Sequence, residues 1–190
     1  AASREIDPES VIIAATHTHV APCTANLVGD ICPEFLETLE QAVARAVGRA
    51  IEDLEDASLF AGTGFIEQMG WNRRGLHRDG SAGMYLGSWA EGFVGIEGPR
   101  DGSVPVIFAR RADGSVKAVL TGLSTHPNTL EGESFYSADI PGEVRRVLRA
   151  VLGENVGVLY FTGAAGNTAP SIMVDNPQNI QPWRGEQGLR

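Results

Sequence analysis

The sequence predicts an α/β domain with a mixed β-sheet and flanking helices. Two observations carry that expectation. Short apolar runs rich in β-branched residues alternate along the chain with segments of helical periodicity. Two of those runs flank Ala112-Asp113-Gly114, which reads as the turn of an antiparallel hairpin. Neither an internal repeat nor an eight-fold strand-helix rhythm is present. The 190 residues suit one domain, residues 1–190, with enough length to bury a core.

The elements follow in order. Val11 to Thr16 is an apolar, β-branched run that reads as a buried strand. Residues 20–33 form a loop rich in Pro, Asn, Gly and Asp. Glu34 to Leu54 reads as a helix, because Phe35, Leu39, Val43, Val47, Ile51 and Leu54 recur at three- and four-residue steps. Pro33 suits its first turn. Ser58 to Glu67 reads as a strand. Residues 68–103 are Gly-rich and aperiodic, with Trp71 and Trp89; so long an irregular segment marks function or mobility rather than filler. The hairpin takes Val104 to Arg110 and Val116 to Thr125 as its arms. "ADIPGEVRRVLRAVLG" reads as a helix that Asp139 caps, with Pro141 in its first turn and Gly153 at its end. "NVGVLYFTGAAGN" reads as a buried strand entering a Gly-rich turn, and residues 171–190 as a loop or frayed end.

Composition excludes some functions. Hydrophobic residues are 43% and charged residues 21%, a globular balance. The net charge of −9 argues against nucleic acid and anionic membranes as partners. The basic patches "NRRG", "FARRADG" and "EVRRVLR" are short and mixed with acids. No apolar run approaches the ~20 residues of a transmembrane segment. The chain enters its first expected strand almost at once, so its start reads as a truncation. Cys23 and Cys32 share one loop; a local disulfide and two free thiols both fit, and no C-x-x-C pair is present.

Chemistry concentrates at histidine. Of the four, His17, His19 and His126 fall where expected strands run out into loops, the usual place for a site in α/β proteins. On extended backbone, residues i and i+2 share a face, so His-Thr-His can present two imidazoles to one ion such as Zn²⁺. Two hydrogen-bonded histidines at a sheet edge fit the spacing as well. His126, before a proline that forces exit from its strand, strengthens the metal reading. His77, beside Arg78 and Asp79, reads as solvated surface. In "FTGAAGNTAP", Gly163 and Gly166 allow backbone N–H groups close to a ligand, or form an ordinary turn. In "WNRRG", an arginine can grip a carboxylate or carbonyl, or serve as surface charge.

Taken in order, these motifs resemble the neutral/alkaline non-lysosomal ceramidase family, in its N-terminal catalytic domain. "ATHTHVAP" is similar to the family's T-H-T-H-S-G-P block, "NRRG" to its N-R-S or N-R-R block and "LSTHPNTL" to its A-x-H-P block. "SADIPG" is similar to its S-x-D-x-x-G helix start, and "GAAGNTAP" holds the place of its G-D-V-S-P-N block. The matches span residues 11–171. The resemblance implies a zinc amidase cutting an N-acyl bond. It implies His17 and His126 as Zn²⁺ ligands, with His19 and Arg73 at the substrate near the reacting amide. Asn167, from the last block, falls on the substrate side. Family members often act outside the cytoplasm, which implies a secreted or periplasmic setting.

The chain also departs from the pattern. Ala169 stands where the family has its serine, and Asn167 where it has an aspartate. An alanine methyl can neither attack nor donate a hydrogen bond, which argues against ceramide itself as the substrate. The family completes its zinc site with a downstream glutamate and tyrosine. Pro141-Gly142-Glu143 lies instead in a helix start, where Glu143 serves the helix dipole. The chain therefore reads as the central part of such a domain, with the remaining part expected outside it. The sequence points to a zinc-dependent hydrolase of an N-acyl amide or related linkage, acting on a small or lipid-like substrate. The alternatives are an inactive binding module of the same fold, and a zinc hydrolase of esters or phosphoesters.

Overall fold

A computed structural model describes residues 7, 9, 11–26, 29–67, 69–85 and 90–174. Its elements are α1 (Pro33–Glu52), β1 (Ser58–Phe65), β2 (Gly70–Asn72), β3 (Arg74–His77), β4 (Ala82–Met84) and β5 (Phe93–Ile96). There follow β6 (Ser103–Arg110), β7 (Val116–Thr121), α2 (Asp139–Leu152), β8 (Gly157–Tyr160), β9 (Thr168–Pro170) and α3 (Ser171–Val174). The main sheet has the order β1-β6-β7-β8. It is mixed, as the sequence predicts: β6 runs antiparallel to β1 and β7, and β8 runs parallel to β7 across the α2 connection.

Local chemistry explains the register. In the β6–β7 turn, Arg111 N–H donates to Ser115 O (2.9 Å), and Asp113 Oδ1 accepts from the Ser115 backbone N–H (2.9 Å) and hydroxyl (2.7 Å). Gly114 holds φ +89°, which a glycine adopts without steric cost. Phe60 and Phe108 face one another across β1 and β6 with ring centroids 5.1 Å apart, and the Arg110 guanidinium lies 4.2 Å over the Phe60 ring.

Several expectations are corrected. Val11 to Thr16 is not a buried strand: it joins no sheet, and Ile12 and Ile13 are 82% and 77% exposed. β-branched composition reports a preference for extended backbone, whereas a strand also needs a neighbour to pair its N–H and C=O groups. In β8 only Tyr160 is buried. The segment 68–103 holds β2, β3, β4 and β5 rather than one long loop, each too short to show a period. Trp89 lies outside the described residues, as do residues 175–190 of the expected frayed end. Residues 171–174 are helical, with Met173 and Val174 buried.

Val119 and Tyr160 are buried in the main sheet, but the largest buried apolar cluster sits beside it. Tyr85, Ala169, Met173 and Val174 form its centre, with Trp71, Ile96 and Ile172 packed against it. α1 is amphipathic as predicted, yet none of its residues is buried. One face of the main sheet is also open: Ala61, Ile107, Leu120 and Leu159 stand in register across β1, β6, β7 and β8. Of these, Ile107 and Leu159 are exposed, as are Leu59 and Phe65 on the same face of β1.

The sheet's exit toward the site depends on one close approach. A Cβ on Gly122 would lie 1.9 Å from Phe161 O and 3.0 Å from Phe161 C, both backbone atoms that cannot swing aside. Gly122→Ala is expected to lower stability by about 2 kcal/mol or more. Gly62→Ala, whose Cβ meets nothing within 4 Å, is the control. Urea denaturation midpoints check both; equal midpoints would refute the close-packing account.

Candidate metal centre

The segment bearing His17 and His19 is fastened at several points although it joins no sheet. Thr162 Oγ1 donates to Thr16 O (2.7 Å), Thr18 Oγ1 donates to Ser137 O (2.9 Å), and Ser137 N–H donates to Val20 O (2.9 Å). His19 N–H donates to Pro127 O (3.3 Å), tying this segment to the loop after β7 that carries His126. His17 takes φ +63°, a costly conformation for a non-glycine residue and one that clusters at functional sites.

His126 is held hardest. It is 6% exposed, and its Nδ1 lies 2.8 Å from Thr168 O. A carbonyl only accepts, so Nδ1 carries the proton and Nε2 keeps its lone pair. The three imidazoles converge. Ring centroids are 4.9 Å apart for His17–His19, 4.8 Å for His17–His126 and 5.4 Å for His19–His126. One ligand atom from each lies within 4.8 Å of the others.

Three imidazole nitrogens within 4.8 Å of one another are a donor set of the kind a divalent ion such as zinc accepts. His17 Nε2 and His19 Nε2 lie 3.3 Å apart. Burial lowers the His17 pKa, and the charges of His19 and Arg73 lower it further. Burial also lowers the His126 pKa, with Arg73 adding to it. Both rings are therefore biased toward the neutral form that binds metal.

Arg73 is built into the site. Its backbone N–H donates to Asn167 O (2.8 Å), its Nη2 to Gly166 O (2.8 Å) and its Nη1 to Tyr85 Oη (3.2 Å). Its guanidinium carbon lies 5.8 Å from the Tyr85 ring centroid, and its buried Nε has no acceptor among the described residues. The β2–β9 pairing brings the "NRRG" loop beside the "GAAGNTAP" turn, with Asn167 exposed at its rim. A Cβ on Gly163 would fall 2.5 Å from Ser124 Oγ, so that glycine serves close packing. Ala169 is 0% exposed, with its methyl in the core.

Other expectations change here. Asp139 does not cap α2 in the usual way; Ala138 is the N-cap and makes no side-chain capping bond. Asp139 is buried at φ +48°, and its Oδ1 accepts from Ile140 N–H (2.7 Å). Its Oδ2 accepts from Leu130 N–H (2.9 Å), so the side chain ties the helix start to the loop after His126. His77 is half-buried in β3, with Nδ1 3.1 Å from Glu91 O, rather than solvated. Glu143 lies past the first turn of α2, and its exposed carboxylate accepts from Arg146 (2.8 Å). Cys23 and Cys32 are free thiols.

Sequence reasoning missed three polar residues. Glu131 Oε1 lies 3.1 Å from His19 Nδ1. Asn128 is fully buried and donates through Nδ2 to Glu131 Oε2 (3.0 Å) and Tyr85 Oη (3.1 Å). Burial works to raise the Glu131 carboxyl, but the bonds from His19 and Asn128 outweigh it and hold its pKa below the usual value. Asn128 lies inside the quoted "THPNTL" block, which was a usable signal. Tyr85 sits in the aperiodic segment and gave none.

With this geometry in hand, solved structures supply the comparison. A structure described as neutral ceramidase from Pseudomonas aeruginosa superposes with a TM-score of 0.66 at 21% identity, over 93% of this chain and 29% of that one. In fold, the chain is similar to neutral ceramidase. A second structure, described as ceramidase complexed with C2, gives a TM-score of 0.67 at 19% identity, over 93% of this chain and 28% of that one. The chain thus spans less than a third of either ceramidase. No protein-family model and no curated protein matches the sequence.

The depressed pKa values make a signed prediction. In metal-free protein the unfolded chain binds more protons at these histidines than the folded one, so stability rises with pH through the window just below 6.5. Urea midpoints measured across that window in the presence of a chelator should climb with pH and then level off. His126→Asn should flatten part of the climb; an unchanged slope would contradict the buried, neutral His126.

Proposed function

We propose that this chain carries the metal-holding part of a zinc-dependent hydrolase acting on an N-acyl amide or related linkage in a small or lipid-like substrate. The observation that carries the reading is the convergence of His17, His19 and His126 beside Arg73, within a fold shared with neutral ceramidase. In this reading His17 and His126 hold the Zn²⁺, while His19, Arg73 and the exposed Asn167 face the substrate. A bound zinc would polarise the scissile carbonyl and lower the pKa of a water toward 7. The residues do the rest. His126 keeps Nε2 unprotonated by spending its Nδ1 proton on Thr168 O. Arg73, fixed by Gly166 and Tyr85, keeps one buried N–H without an acceptor among the described residues, a donor suited to a carbonyl oxygen gaining charge.

The second reading is an inactive binding module of the same fold, favoured by Ala169, whose buried methyl supplies no nucleophile. The remaining part of the catalytic fold is proposed to lie outside these residues, which fits the exposed Ile107 and Leu159 on one sheet face and the 29% share of the ceramidase chain that is covered.

Metal analysis with a panel of chromogenic amides, esters and phosphoesters tests the proposal. The expected result is one zinc per chain, lost in His17→Ala plus His126→Ala, and amide turnover abolished by His126→Ala. Arg73→Ala should cost on the order of 10²-fold in kcat. Full zinc binding by the double variant would overturn the ligand assignment. Zinc without turnover of any amide would favour the binding module, and turnover confined to esters or phosphoesters would move the chemistry to those linkages.

A further inference from the structure

We infer that Glu131 is the positioning residue of this centre: it holds His19 as the Nδ1–H tautomer and turns the bare Nε2 toward His17. The contact is Glu131 Oε1 to His19 Nδ1 at 3.1 Å, with His19 Nε2 3.3 Å from His17 Nε2. A carboxylate only accepts, so the proton between them belongs to His19. A neutral imidazole has one N–H; placing it on Nδ1 leaves Nε2 with its lone pair facing the site. The opposite tautomer would aim an N–H into the space the histidines share.

Glu131 is itself fixed. Its side chain is only 26% exposed, and its second oxygen accepts from Asn128 Nδ2 (3.0 Å). The other Asn128 N–H bonds Tyr85 Oη, which also accepts from Arg73 Nη1. The Glu131 backbone N–H donates to Asn128 O (3.2 Å), and neighbouring Leu130 is pinned to Asp139 (2.9 Å). An ordinary surface ion pair needs no such scaffold, since exposed pairs contribute little. The arrangement has the form of a carboxylate orienting a histidine in a metal or acid-base site, where loss of the carboxylate costs about 10–100-fold in affinity or activity.

This inference deepens the proposed hydrolase and rests on it for its catalytic meaning, but its test does not need metal or turnover. Nitrogen-15 spectra of the histidine rings in the full, metal-free chain, at a pH where the rings are neutral, report each tautomer directly. The expected result is Nδ1–H at His19 in the native chain. Glu131→Ala should shift His19 toward Nε2–H, and Glu131→Gln, which keeps an oxygen acceptor, should retain Nδ1–H. His126, held by Thr168 O, should stay Nδ1–H in every variant and so report an intact fold. His19 as Nε2–H in the native chain, or an unchanged His19 in Glu131→Ala, overturns the inference. A separate zinc titration distinguishes the two failures: loss of the His17/His126 assignment leaves the tautomer result standing, and the converse also holds.

Discussion

The carbonyl of Thr168 is the point on which the site depends. It receives the Nδ1 proton of His126 at 2.8 Å and the His126 backbone N–H at 3.4 Å. Thr168 is fixed in turn: its hydroxyl donates to Ser124 O (2.8 Å), and it stands opposite Asn72 in the β2–β9 pair. One residue therefore joins the end of β7, the turn after β8 and the loop bearing Arg73. Because these groups are buried, an unmade bond among them would cost about 1–3 kcal/mol, more than a typical bond contributes when made. That asymmetry keeps His126 in one orientation.

From that anchor a polar path runs across the site. It passes from His19 through Glu131, Asn128 and Tyr85 to Arg73 and the Gly166 carbonyl. At the fully buried Asn128, low local dielectric strengthens the contacts and penalises any that is broken. Two backbone conformations of high cost belong to the path: Tyr85 at φ +59° lies on it, and His17 at φ +63° is two residues before its first member, His19. Strain of this kind persists only where surrounding bonds over-determine the geometry, and here they do. Arg73 is not free surface charge, since its guanidinium donates to Tyr85 Oη and Gly166 O.

The apolar surface tells a complementary story. The tightest apolar cluster lies at the β2–β9 pair and α3, while the apolar stripe of α1 is only half-buried and one face of the main sheet exposes Ile107 and Leu159. The likeness to ceramidases covers less than a third of their length.

The sequence by itself determined the mixed α/β class, α1, the β6–β7 hairpin and α2, because each rests on a period or a turn that neighbouring residues carry. Residue type and the His-Thr-His spacing drew attention to His17 and His19, although the strands expected to end at them and at His126 do not reach those positions; Arg73 was named only by the order of the motifs. Only the tertiary structure decided the rest. Val11 to Thr16 has a strand's composition and no partner to pair with, and β2 through β5 are paired yet too short to show a pattern. Asp139 keeps its place at the helix start, but its carboxylate reaches back to Leu130, 9 residues away, which no capping rule contains. Glu131 and Tyr85 carry no motif. They matter because folding brings them within hydrogen-bonding distance of side chains far away in sequence, and such distances are set by packing rather than by the order of residues.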